Sequence, residues 1–227
     1  MSKIQDSQKR LYSQKFQQYD DDPRSLSWND KNSQDLRFKE ILDLLKYEKA
    51  DNKFTLHEIG CGLGHFYEYL KTTKYQVTYS GSDIVPSFID TCRNKFPGTS
   101  FYLQDISADY EFIPEEIKNN DYYCLSGTFH TKEDNAPEDW EQFVFKSIRN
   151  MFRMAKKGIC INFLTGYSEF FDEKLFYADP RVIFDWCVQN LSRFISIEHD
   201  IPLYEFTVCI YKEQFVREQF PGYGKYF

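Results

Sequence analysis

Residues 54–64 read Phe54-Thr55-Leu56-His57-Glu58-Ile59-Gly60-Cys61-Gly62-Leu63-Gly64. Phe54 and Leu56 alternate with Thr55 and His57, the period of a β-strand. The strand runs into a glycine-rich turn, and residues 64–72 then carry helical spacing. Glycines let a backbone turn sharply and approach a ligand closely. The helix that follows presents free N–H groups at its start. The spacing is Gly-x-Gly-x-Gly, not the Gly-x-Gly-x-x-Gly of dinucleotide folds. Glu58 stands two residues before the first glycine. A carboxylate there repels a pyrophosphate and suits a ligand that carries an ammonium or sulfonium group.

Working outward, strands and helices alternate. Strands are predicted over 54–59, 75–82, 99–103, 122–125, 158–164, 193–198 and 205–211. Helices are predicted over 64–72, 86–96, 138–156 and 179–191, with a short one within 109–119 entered through Pro114. Pro86 and Asp179-Pro180 suit first helical turns. Such alternation implies a Rossmann-like α/β sheet, mostly parallel and covered on both faces. The short link from Asp200 to Tyr204 permits a hairpin, so the last strand is expected to be antiparallel. Upstream, residues 1–50 are polar, with an acidic turn at Asp20-Asp21-Asp22-Pro23. A helical pattern starts near Ser33, with Leu36, Ile41, Leu42, Leu44 and Leu45 on one face. This reads as an N-terminal helical cap on a main domain of residues 51–227.

Composition narrows the classes. A chain of 227 residues holds one large domain with an extension. With 41% hydrophobic and 28% charged residues, disorder throughout is excluded. Aromatics are unusually frequent, 22 Phe, 17 Tyr and 3 Trp. They imply a ring-rich core, an aromatic-lined pocket, or both. The net charge of −7 disfavours a nucleic-acid partner. No apolar run is long enough to span a membrane, and the polar start lacks the apolar stretch of a signal peptide. The six cysteines are widely spaced with no Cys-x-x-Cys, the pattern of reduced thiols in a cytoplasmic protein. Four histidines without ligand spacing give no metal site.

Ligands of such sheets bind beyond the carboxyl ends of the strands. The second strand ends at Asp83, 23 residues after Gly60, where a carboxylate can accept from both ribose hydroxyls. A helix cap before Pro86 is the competing role. The third strand ends at Gln104-Asp105-Ile106. An acidic residue followed by an apolar one suits an adenine amine and a ring wall, or else a turn.

These three loops resemble the class I S-adenosylmethionine-dependent methyltransferase family over about residues 53–212. The resemblance implies a seven-stranded sheet with an antiparallel last strand. It implies that Gly60, Cys61, Gly62 and Gly64 shape the loop around the methionine part of S-adenosylmethionine. Glu58 would orient that loop, bind through water, or serve as a buried carboxylate bonded to backbone N–H groups. Asp83 would hold the ribose, with Ile84 against the adenine, and Asp105 and Ile106 would contact the adenine. Ser126 would join them from the loop after the fourth strand. Many small-molecule members close an N-terminal lid over the site; here it would span Tyr12 to Phe38, with Arg37 on the cofactor carboxylate or merely on the surface.

The acceptor site is expected after the fourth and fifth strands. Leu125-Ser126-Gly127-Thr128-Phe129-His130 departs from the Asn/Asp-Pro-Pro-Tyr/Phe tetrapeptide of nucleic-acid amino methyltransferases. His130 is the candidate base or acceptor ligand, or a plain loop histidine. Trp28, Phe129 and Tyr167 are candidate acceptor walls. Asn162 and Thr165 are candidate hydrogen-bonding groups, with strand-end capping as their other role. The expected activity is methyl transfer to an oxygen or nitrogen of a small molecule, yielding S-adenosylhomocysteine. A non-catalytic cofactor-binding subunit, a nucleic-acid methyltransferase and, least of all, a dehydrogenase are the alternatives.

Overall fold

The computed structural model describes residues 3–27, 30–49 and 51–227. Its strands are β1 (Lys53–Ile59), β2 (Gln76–Asp83), β3 (Ser100–Leu103), β4 (Tyr122–Leu125), β5 (Gly158–Thr165), β6 (Tyr177–Ala178), β7 (Ile195–Glu198) and β8 (Glu205–Tyr211). They form one sheet in the order β3-β2-β1-β4-β5-β8-β7, with β6 paired to β5 alone. β1 to β5 are parallel neighbours. β8 runs antiparallel between β5 and β7. The strand order reverses at β1 and β4, so their carboxyl ends open the crevice in which ligands of such sheets bind. The seven expected strands are present, each within two residues of its predicted bounds. β6 is additional; two residues are too few to show a period.

β4 and β8 are buried at every residue, as strands covered on both faces should be. The helices are α1 (Lys3–Tyr19), α2 (Lys31–Ile41), α3 (His65–Leu70), α4 (Pro86–Lys95), α5 (Pro137–Met154), α6 (Pro180–Asn190) and α7 (Glu213–Gln219). Pro86, Pro137 and Pro180 each occupy a first turn. Asp179 caps α6 by accepting from the Arg181 N–H. α5 turns Trp140, Val144, Ile148 and Met151 to the core, a single 3.6-period stripe.

One expected helix does not form. Residues 109–119 hold only a single 3₁₀ turn, Tyr110–Phe112. Ile113 is extended, as a residue before proline prefers, and this ends the turn. α1 and α7 lie outside the predicted helices. Of α1's residues only Ile4 and Gln8 are fully buried, so its sequence carries almost no apolar period.

The core has two layers. Trp140, Val144, Ile148 and Met151 pack with Ile159, Ile161, Phe163 and Phe206 on one face of the sheet. Ile41, Leu44, Leu45, Phe54, Tyr122 and Phe215 pack on the other. Rings dominate: Phe163 stacks between Phe129 and Phe206, with centroids 5.8 and 5.4 Å away. All six cysteines are free and buried. No helix among the described residues is long and apolar enough to cross a membrane.

Candidate active site

The turn after β1 is left-handed at Gly60, Gly62 and Gly64, with φ of 68°, 51° and 76°. At Gly60 a Cβ would stand 2.1 Å from Thr128 Oγ1, and at Gly62 it would stand 2.7 Å from Leu26 Cδ2. Backbone conformation and space therefore both demand glycine here.

Asp83 ties this turn to β2. Its Oδ2 accepts from the Gly62 N–H at 3.0 Å and its Oδ1 from the Val85 N–H at 2.9 Å. Burial pushes its pKa up to about 6, against the pull of these N–H groups. It is ionised at neutral pH and keeps lone pairs for a further donor. Glu58 is held differently: it accepts from the Tyr79 hydroxyl, and burial pushes its pKa up to about 8. Its observed partner is thus a side chain of β2, not the backbone N–H groups of one of its alternative roles. Asp105 Oδ1 accepts from Ser107 N and Oγ, both at 2.8 Å, which closes a turn. Its other oxygen accepts from the Gln5 amide of α1.

The loops after β1, β2, β3 and β4 converge on one cavity of about 100 Å³. Glu58, Gly60, Cys61 and Gly62 line one side; Asp83, Ile84, Asp105 and Ile106 line the next; Ser126, Gly127 and Thr128 close the third. Ile4, Gln5, Gln8 and Tyr12 of α1 form a roof. Gln8 fastens that roof by donating to the Thr131 carbonyl at 2.9 Å. Ser126 Oγ is buried with no hydrogen-bond partner among the described residues.

The other candidates lie elsewhere. Gly64 begins α3 and faces Phe96. Arg37 pairs with Glu205 rather than lining the cavity. Phe129 is wholly buried in the ring-rich core. Thr165 Oγ1 accepts from the Tyr167 N–H, a strand-end cap, and Tyr167 lies exposed on the surface. Asn162 bonds Gly127 N and Glu205. His130 is buried with a hydrogen bond to the Asn162 backbone, and burial draws its pKa down to about 4. Trp28 lies outside the described residues.

Several lining residues were not singled out in sequence. Thr128 and Gln104 adjoin residues that were. Trp140 and Phe143 read as core, because cavity and core share one face of α5. Gln5 and Gln8 carry no signal at all. Among the described residues no group of His, Cys, Asp and Glu could hold a metal ion.

A family model described as "Methyltransferase domain" matches residues 57–161, the stretch from β1 through β5 that builds this cavity. The chain carries a methyltransferase domain on the fold shared by class I S-adenosylmethionine-dependent methyltransferases. Rv1506c of Mycobacterium tuberculosis, named for methyltransferase activity without an acceptor, is 26% identical over 170 residues, covering 74% of this chain and 99% of that protein. Among solved structures, magnesium protoporphyrin IX methyltransferase from Synechocystis PCC 6803 superposes with a TM-score of 0.64 at 11% identity, covering 94% of this methyltransferase and 99% of that chain. Human N-acetylserotonin methyltransferase gives 0.63 at 13% identity, covering 93% of this chain and 59% of that one. The small RNA methyltransferase HEN1 gives 0.55 at 13% identity, covering 77% and 25%. At such identities the structures share the fold.

The methyltransferase's own residues fit the family's cofactor, S-adenosylmethionine. The glycine turn leaves a cradle that any side chain at Gly60 would fill. The unpartnered Ser126 hydroxyl and the ionised Asp83 carboxylate supply polar groups at the cavity wall.

Proposed function

We propose that this methyltransferase transfers the methyl group of S-adenosylmethionine to an oxygen or nitrogen of a small-molecule acceptor. The observation that carries the reading is the roof. The chain's own N-terminal helix covers the cavity, with Gln5 on Asp105 and Gln8 on Thr131. A reaction space closed in this way suits a small acceptor better than a polymer strand.

In this reading Asp83 accepts from the ribose hydroxyls, Ile84 and Ile106 flank the adenine, and Asp105 takes its amine. Gly60, Cys61 and Gly62 wrap the methionine part, with Glu58 as a neutral wall. The bound cofactor supplies an electrophilic methyl group on a sulfonium. The chain positions both reactants and excludes water. His130 keeps a neutral imidazole beside the Ser126–Thr128 wall. With a pKa near 4 it is a weak base at neutral pH, so positioning outweighs proton transfer. Residues 1–50 act as the lid of the domain formed by 51–227. Six free, buried cysteines support a cytoplasmic location.

The test is label transfer. Methyl-labelled S-adenosylmethionine is incubated with the protein and a fractionated cell extract. Label is expected in the low-molecular-weight fraction. Label confined to RNA or protein would overturn the small-molecule reading.

A further inference from the structure

Asn162 was read as an acceptor ligand, yet both ends of its amide are engaged inside the protein. Its Oδ1 accepts from the Gly127 N–H at 2.7 Å. Its Nδ2 donates to Glu205 Oε2 at 2.8 Å. Arg37 in turn donates to Glu205, from Nε to both carboxylate oxygens at 2.9 and 2.7 Å and from Nη2. Asn162 and Glu205 are only 1% and 2% exposed. Three side chains thus form a chain from α2 through β8 and β5 to the loop after β4.

The loop they reach matters. Ser126, Gly127 and Thr128 all line the cavity, and Thr128 presses against Gly60. Gly127 takes a left-handed φ of 73°, so its N–H direction is peculiar to this turn. We propose that Asn162, oriented by Glu205 and Arg37, is a positioning residue that holds the Ser126–Thr128 wall of the cofactor cavity in place. Polarity sets the orientation. The Gly127 N–H requires an acceptor and the Glu205 carboxylate requires a donor, so the amide fits in one direction. The Arg37 guanidinium donates to both Glu205 oxygens, so the carboxylate faces Asn162 as an acceptor. A change of polarity on one side alone of the Asn162–Glu205 link breaks the series, and a buried donor or carboxylate is left without its partner. The N-terminal segment thereby bears on the cavity from behind the wall as well as from the roof.

The first measurement needs no ligand. Backbone amide hydrogen exchange is followed by NMR in the full-length protein and in Asn162→Leu, which keeps the volume and removes both bonds. Exchange at Gly127 is expected to quicken at least tenfold, while β1 amides such as Leu56 keep their protection. Unchanged exchange at Gly127 overturns the proposal. The second measurement rests on the cofactor reading and uses S-adenosylhomocysteine in calorimetric titration. Asn162→Asp sets a carboxylate against Glu205 and is expected to weaken binding at least tenfold. Adding Glu205→Gln reverses the polarity of both partners at constant charge: the new amide donates and the new carboxylate accepts. Binding is expected to return to within threefold of the parent. The proposal is overturned if Asn162→Asp binds as the parent does. It is equally overturned if the double variant melts like the parent yet binds no better than Asn162→Asp. A parent protein that does not bind S-adenosylhomocysteine sinks the cofactor reading, and the exchange measurement then decides the positioning role alone.

Discussion

Two buried carboxylates face one cavity and are held at opposite protonation states. Asp83 ionises near pH 6 because backbone N–H groups offset part of its burial. In the proposed reading the carboxylate accepts from the two ribose hydroxyls, and once protonated it loses one of those places. Affinity for S-adenosylhomocysteine is therefore expected to fall as the pH drops from 7.5 through 6. Asp83→Asn should remove this dependence and weaken binding by about tenfold or more, as loss of a charged hydrogen bond does. Calorimetric titration at three pH values checks both. Glu58 works the other way. Its folded pKa, about 8, lies above the ordinary 4.5. Between those values the folded protein holds a proton that the unfolded chain has released, so this group's contribution to stability declines as pH rises across the window. Glu58→Gln should flatten the fall in melting temperature from pH 5 to 8; a parallel curve would refute the assignment. The places of both acids relative to the glycines are legible in the sequence. The Tyr79 hydroxyl that separates their behaviour is not, because it comes from the neighbouring strand through a pairing register that no local pattern announces.

Helices differ widely in how clearly they announce themselves. α5 is legible because four large apolar side chains recur on one face. α1 is polar over most of its length; besides the Tyr12 and Phe16 rings on Phe88, two glutamine amides fix it, and their partners Asp105 and Thr131 lie about a hundred residues away in the chain. Deleting residues 1–30 is expected to abolish methyl transfer while circular dichroism shows the sheet intact. Retained transfer would refute a lid. A finer change separates latch from ligand. The Gln5 amide occupies the Asp105 carboxylate that, in the proposed reading, takes the adenine amine. Gln5→Ala is therefore expected to tighten S-adenosylhomocysteine binding by about three- to tenfold, the worth of one net hydrogen bond. Weaker binding would make Gln5 a ligand contact instead. The segment 109–119 teaches the converse: Pro114, read as the entry of a short helix, holds its neighbour Ile113 extended.

For the molecule as a whole, the strand and helix alternation was enough to anticipate the sheet, since parallel strands joined by helices leave few ways to pack. The acceptor side was less legible. Phe129, Asn162 and Thr165 have residue types that suit a site, but neighbours brought in by β5–β8 pairing and by the ring stack absorb them. Phe163→Ala opens that stack and is expected to cost about 3–5 kcal/mol in denaturant unfolding. Acid should loosen the fold as well. His57 and His130 are buried, with pKa values drawn down to about 3 and 4 from 6.5. The unfolded chain takes up their protons first, so the contribution of these two groups is full above pH 6.5 and declines as pH falls toward 3, opposite in sign to that of Glu58. Equilibrium unfolding across that range checks the sign. Finally, Trp140 combines three properties that rarely coincide. It is wholly buried, its indole N–H is fixed to the Phe129 carbonyl at 3.1 Å, and its ring borders the cavity. Trp186, stacked 4.3 Å from Phe145, does not border it. The emission of Trp140 is therefore expected to change when the cavity is filled.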